Sequence, residues 1–418
     1  MSGQSVFVDS VAHGAALNVR GVNDAATSGA VTTVTSATAA FTADDTGRTF
    51  VLTSTAGAVT TGTLTYVSAT SATMSVAAGG AMSGARLIIG TDDTTAWQNA
   101  LNAAQPGQVV DATGFSWRSL VTGNLSVPAG VHLGFEGRGP FDPQTNPALN
   151  AHGPTFVMVQ DADPFVTLTH GSGVGDLIFY SANQKPPAIA TPTTFGAVIS
   201  APAGTAGVRI GSPYMPNAYI GMFLRGGRHS VYRPQIGAFV SGITIDESYD
   251  VIDIDRLTCH PYWRICEGQT YTPTAGTLDE YAQDNSRALT VHRADGLKVG
   301  SIFSFGSYGA LLSIDSSTPQ TGDECGYGMI GMIDADHCVV GIQAYETASP
   351  GLLIGSALLG SNGTGVGTAG SAGIATMTGG SVAPKVVLSS WSHRGTWSSA
   401  ASVTGAGTTL IVPATNPG

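Results

Sequence analysis

Asp250-Val-Ile-Asp-Ile-Asp-Arg-Leu257, Gly296-Leu-Lys-Val-Gly-Ser-Ile-Phe303, Gly328-Met-Ile-Gly-Met-Ile-Asp-Ala335 and Gly351-Leu-Leu-Ile-Gly-Ser-Ala-Leu358 read as four copies of one short strand. Gly207-Val-Arg-Ile210 and Ser230-Val-Tyr232 extend the series upstream. Key positions 208, 231, 251, 297, 329 and 352 are separated by 23, 20, 46, 32 and 23 residues, and 46 is twice 23. A second series sits between them: Gly242-Ile-Thr-Ile-Asp246, Ala288-Leu-Thr-Val-His292, Leu311-Leu-Ser-Ile-Asp315 and Ile342-Gln-Ala-Tyr-Glu346. Residues 267–286 hold a weak copy or a loop. Two interleaved strand series at one short period predict a solenoid, because a lone unit cannot bury its apolar face and stacking supplies the partner. About twelve coils at ~4.8 Å each would give a column of roughly 55–60 Å. A β-sandwich or jelly roll is the competing all-β reading.

Composition supports this. The 418 residues include 56 glycines, only 11% charged residues and just three lysines, Lys185, Lys298 and Lys385. Tight turns at every coil corner require many glycines. Disorder needs low hydrophobicity and high charge, collagen needs glycine at every third position, and a membrane helix needs about 18 unbroken apolar residues; none fits. A net charge of −11 makes nucleic acid an unsuitable partner. Cys259, Cys266, Cys325 and Cys338 are too dispersed for a disulfide scaffold and form no CxxC pair, so no metal or cofactor is expected. The N-terminus has no basic and apolar leader pattern.

Residues 1–90 contain no lysine or tryptophan, and segments 48–55, 61–68 and 71–77 are rich in β-branched residues. They predict a small antiparallel β module. From Gly90 the texture changes. Trp97, Ala100, Leu101 and Ala104 repeat at helical spacing, Thr91, Asp92 and Asp93 offer caps, and Pro106-Gly107 stops the helix. The expected layout is a β module over 1–90, a solenoid over 91–385 entered by a helix at 91–104, and a C-terminal cap over 386–418.

The box Gly90-Thr91-Asp92-Asp93-Thr94-Thr95-Ala96-Trp97-Gln98-Asn99-Ala100-Leu101 resembles the GTDDTxAxQxAL entry segment of the pectate-lyase-like right-handed parallel β-helix superfamily. Pro128-Ala129-Gly130-Val131 is similar to the turn that follows it in that family. Phe41-Thr-Ala-Asp-Asp-Thr-Gly-Arg-Thr-Phe50 and Gly62-Thr-Leu-Thr-Tyr66 look like an N-terminal insertion of phage-associated members. The match covers roughly residues 1–135 and is a pattern-level one thereafter. The resemblance implies an all-β fold, a phage tail spike or tail fibre and a homotrimer. It also implies attachment to the tail or baseplate through residues 1–90 and recognition of a host surface polysaccharide, with no membrane insertion. The protein would be made in the host cytoplasm and carried on the virion. A non-catalytic adhesin and a polysaccharide depolymerase, either glycoside hydrolase or lyase, both remain open. The paired Asp-Asp with a later Gly-His-Gly of pectinases is absent, since Asp92-Asp93 belongs to the entry helix.

Hydrolysis of a glycan needs two carboxyl groups flanking the bond. Asp246, His292, Asp315 and Glu346 all follow the strand core of the second series and would form a polar ladder if stacked; strand ends meeting turns give the same pattern. Asp253 and Asp255 share one strand face and form the alternative pair, or a solvated acidic face. Arg225, Arg228 and Arg233, with His229, could hold an acidic sugar or, in a lyase, remove a C5 proton; local ion pairs are the other reading. Tyr262 and Trp263 offer rings for sugar stacking, or Trp263 packs the loop onto the column.

Overall fold

A computed structural model describes residues 7–114, 116–138, 153–267, 269–271, 273–314, 326–345, 347, 351–361, 374–376, 385–394 and 409–411. The chain is mostly β, with a large parallel sheet and few helices. Among the described residues, no helix is long and apolar enough to cross a membrane.

Six strands, Arg20–Gly29, Thr33–Thr35, Thr49–Thr53, Val59–Ser68, Ser71–Met74 and Gly80–Gly90, close into an antiparallel barrel. Alternation along the strand decides what each residue touches. Phe50, Leu52, Leu87 and Ile89 point into the barrel core. Val51 and Ile88, one residue out of phase, point outward and bury against Leu120, Val157 and Tyr180 of the sheet that follows. The barrel strands Thr49–Thr53 and Gly80–Gly90 are therefore apolar on both faces where they meet the rest of the chain.

The helix Thr94–Ala103 lies at the start of the main core, with Trp97, Ala100 and Leu101 fully buried. Asp92, not Asp93, accepts the Thr94 N–H (3.1 Å). Asp93 is spent on tertiary contacts instead, accepting from the N–H groups of Ala16 (2.8 Å) and Leu17 (3.1 Å) and from Ser119 Oγ (2.8 Å).

Among the described residues, 23 strands beyond the helix, together with Phe7–Asp9 before the barrel, belong to one sheet whose pairings are parallel. One series runs Val110, Leu133, Val174, Ile210, Val231, Ile254, Val299, Ile330, Ile354, Leu388, each paired in register with the next and each buried. A second runs Leu125, Val166, Ile199, Met222, Ile243, Leu289, Leu311, Ile342, again buried throughout. Both series lie in one continuous core with the entry helix. The two strand series expected from the sequence are thus present, with different phase. Ile252, Leu297, Gly328 and Leu352 occupy equivalent places, so the alignment on 251 and 329 is displaced by one residue, and the upstream partner of Val231 is Ile210, not residue 208. The described residues of 267–286 contribute no strand to the sheet; the short helix Tyr262–Ile265 precedes the span and Leu278–Asn285 lies within it, so the entry helix is not the only one. The strands Lys385–Arg394 and Thr409–Ile411 continue the parallel pairing.

Glycine forms the edges of this stack. Gly107 donates to the Gly130 carbonyl (2.7 Å), Gly130 to His170 (3.0 Å), Gly171 to Ala206 (2.9 Å) and Gly207 to Gly227 (3.1 Å). All four donor glycines have φ between 63° and 89°, a region in which a side chain is strained. Gly226 is tighter: at φ 88° a Cβ there would collide with the Thr205 carbonyl oxygen. Gly107→Ala, with open space around its Cβ, should cost only the left-handed backbone penalty of about 1–2 kcal/mol. Gly226→Ala should lower the melting temperature distinctly further; equal losses in thermal unfolding would contradict this account of the edge.

Candidate functional site

The strand Gln235–Ile245 ends at Asp246, which is buried and accepts the Glu247 N–H (2.9 Å). Pairing of Ile245 with Val291 puts His292 next to Asp246, and His292 N–H bonds the Ile245 carbonyl (2.9 Å). The following pairs, Val291 with Ser313 and Ser313 with Ala344, carry Ile314 and Tyr345 into the next two places of that row. The sequence alignment put residues 315 and 346 there. The slip arises at Leu311-Leu312, where two adjacent leucines make the inward position ambiguous; Leu311 is fully buried and Leu312 half-buried, and a one-residue shift exchanges faces. Asp315 and Glu346 themselves lie outside the described residues. Two of the four ladder residues, Asp246 and His292, are thus neighbours.

Asp253 and Asp255 do share the outward face of the strand Ile252–Cys259, while Ile252 and Ile254 are buried. Each is committed differently. Asp255 accepts from Arg233 Nε (2.8 Å), and Asp253 pairs in register with Ser230 and Lys298.

The arginines are held in local ion pairs. Arg225 lies 3.9 Å from Glu247, and Arg228 donates to Asp250 at 2.6 Å. The Arg228 hydrogen bond holds the Asp250 carboxyl below the usual carboxylate range. His229 is structural. Its Nδ1 accepts from Val208 N–H (3.3 Å) and its Nε2 donates to the Arg225 carbonyl (2.8 Å). Burial pushes its pKa down and keeps it neutral, as that bonding requires.

Tyr262 and Trp263 are not exposed platforms. Each is 5% exposed. Tyr262 packs edge-on against Tyr214 (5.2 Å) and Trp263 against Phe239 (4.7 Å). Trp263 Nε1 donates to Asp279 (2.8 Å), and Arg264 Nε bonds the other oxygen of that carboxylate (2.8 Å). They fasten the helical segment to the sheet, because a large ring gains most by full burial.

The exposed rings are others. Tyr249 is 53% and Tyr232 50% exposed. Arg293 lies over the Tyr249 ring (5.0 Å) and Arg233 over the Tyr232 ring (4.5 Å). Tyr249 sits in a turn that stacks on the turn carrying Arg293: Ser248 bridges Ala294, Ser248 N–H bonds Arg293, and Asp295 N–H bonds Ser248. Arg293 also reaches Asp295 (3.3 Å). The result is a ridge of stacked turns carrying Arg225, Arg228, Arg293, Glu247, Asp250 and Asp295 around an exposed tyrosine, with three charges of each sign. The sequence signal was available: Tyr249 adjoins Asp250, and Tyr232 adjoins Arg233. Such a surface offers a ring face and many oriented donors and acceptors without net attraction for a polyanion. Among the described residues no group of three His, Cys, Asp or Glu side chains could hold a metal ion. Cys259, Cys266 and Cys338 are buried, Cys266 Sγ lying 3.1 Å from the Tyr214 hydroxyl; Cys325 lies outside the described residues.

A pH dependence follows from His260, which stacks on Phe305 (4.8 Å, 10°). Burial lowers its pKa to about 4, against about 6.5 in an unfolded chain. Between those values the unfolded chain binds the extra proton, so His260 makes the fold less stable as pH falls from about 6.5 towards 4. His260→Phe keeps a stacking ring and removes the titration. Its melting temperature should fall less steeply over that interval than that of the parent, and unchanged slopes would exclude this contribution.

Compared with protein-family models, curated proteins and solved structures, the chain matches none.

Proposed function

We propose that the chain is a phage tail spike or fibre protein, carried on the virion, whose parallel stack is a right-handed β-helix that binds a host surface polysaccharide. The observation that carries the reading is the Tyr249 ridge. An exposed ring flanked by arginine–carboxylate pairs on a rigid stack of turns suits a polyhydroxylated chain, whose sugar faces stack on the ring and whose hydroxyls exchange hydrogen bonds with the flanking groups. Support for the solenoid comes from the two buried in-register series and from the entry box at residues 90–101, whose Trp97, Ala100 and Leu101 close the start of the core. Asp250 and Asp255, committed to arginines at 2.6 and 2.8 Å, are assigned to binding rather than to cleavage. The barrel of residues 20–90 is the module proposed to attach to the tail.

The test uses purified capsule or lipopolysaccharide from candidate hosts. The parent protein should bind one of them without releasing reducing ends or absorbance near 235 nm. Tyr249→Ala and Arg293→Ala should each weaken binding about tenfold, the loss of about 1.4 kcal/mol. New reducing ends alone would make it a hydrolase, reducing ends with absorbance a lyase, and binding unaffected by both substitutions would remove the ridge from the reading.

A homotrimer is part of the same proposal. The outward series Ser230, Asp253, Lys298, Met329, Leu353, Val387 turns from polar to apolar along the stack. Met329 is 59% and Leu353 38% exposed, and with neighbouring residues they line a shallow hollow of about 500 Å³. Exposed apolar surface of this kind is suited to subunit contact. Sedimentation should give a trimer for the parent and a shift to monomer for the pair Met329→Asp, Leu353→Asp. A monomeric parent, or a trimer that survives both changes, would refute this face as the contact.

A further inference from the structure

Arg86, on the strand Gly80–Gly90, is where the barrel and the parallel stack meet. It is 8% exposed. Its terminal nitrogens donate to the Tyr180 hydroxyl, to Glu267 (2.9 Å) and to the carbonyls of Ala182 and Gln184 (3.1 Å each). Its Nε–H is buried without a partner among the described residues. Buried donors are almost always satisfied, so an orphan donor on a residue that lines a cleft calls for an acceptor from outside the chain.

The open space is a cleft of about 290 Å³ that Arg86 helps to line. Thr53 and Thr55 of the barrel form one side, Pro186, Pro187 and Ala188 of the loop after the strand Ile178–Ser181 form the second, and Glu267 and Gln269 the third. The volume is near the lower end for ligand cavities and suits one small ring. Its charge is balanced, since Arg86 is already paired with Glu267, so an anion would gain little from the one and be repelled by the other. The lining mixes hydroxyls, a carboxylate, a guanidinium N–H and a proline ring. We propose that this cleft binds a neutral sugar residue, with a hydroxyl oxygen accepting from Arg86 Nε, a hydroxyl donating to Glu267 and an apolar sugar face on the half-buried Pro186. The inference is independent of the Tyr249 ridge, which lies on other turns.

The experiment is saturation-transfer NMR on the full chain with the methyl glycosides of glucose, galactose, rhamnose and N-acetylglucosamine, and with glucuronate. At least one neutral glycoside should give transfer that glucuronate does not. Ala188→Trp and Thr55→Trp, both at exposed rim positions, should each fill the cleft and cut that transfer at least fivefold, while Tyr249→Ala leaves it unchanged. The proposal is overturned if no glycoside gives transfer, which would assign the Arg86 site to water. It is overturned too if glucuronate binds best, if both filled variants bind as the parent does, or if Tyr249→Ala abolishes the signal.

Discussion

Everything in the parallel stack depends on the register of its inward residues. A parallel ladder bonds each strand to the next at fixed spacing, so every inward position is covered by the equivalent residue above and below it. The row from Val110 to Leu388 satisfies that demand with ten buried aliphatic residues. A polar or charged side chain anywhere in that row would be desolvated with no partner on either side. Charge is therefore confined to outward positions such as Asp253 and Lys298 and to turns such as those of Arg228, Asp250 and Arg293. The scarcity of charge in the composition is the arithmetic consequence. The glycines answer the same geometry at the corners, where Gly107, Gly130, Gly171 and Gly207 stack with left-handed backbones.

Buried charges act as fasteners between modules. Asp93 joins the N-terminal segment to the entry helix and to Ser119. Arg86 joins the barrel to the stack, and Asp279 joins the helical segment to Trp263 and Arg264. Burial raises the Asp93 pKa even against several hydrogen bonds, a sign of how little water reaches it. Charges in such places contribute little net stability after desolvation, but each can be satisfied in only one arrangement of its modules. The same joint at Arg86 leaves an unfilled donor and a cleft.

Much of this was legible in the sequence. The strand series, the helix over residues 94–103, the β module before it and the shared face of Asp253 and Asp255 all follow from periodicity, which burial enforces. The phase of the repeats was not legible where inward and outward residues are both apolar, as at Leu311-Leu312 and Met329-Ile330, because hydrophobicity alone does not say which of the two faces the core. Nor was the burial of Tyr262 and Trp263, whose partners Tyr214 and Phe239 lie in distant strands.

The sequence by itself determined that this chain is built of short, glycine-cornered strands that need one another, behind an entry helix and a separate β module. Only the tertiary structure decided which rings face water, which acids keep arginines as partners and where the barrel abuts the stack. Those outcomes depend on contacts between residues far apart in the chain, such as Arg86 with Glu267 and Tyr249 with Arg293. Local pattern carries no information about such pairs, because each residue looks the same in sequence whether or not its partner arrives.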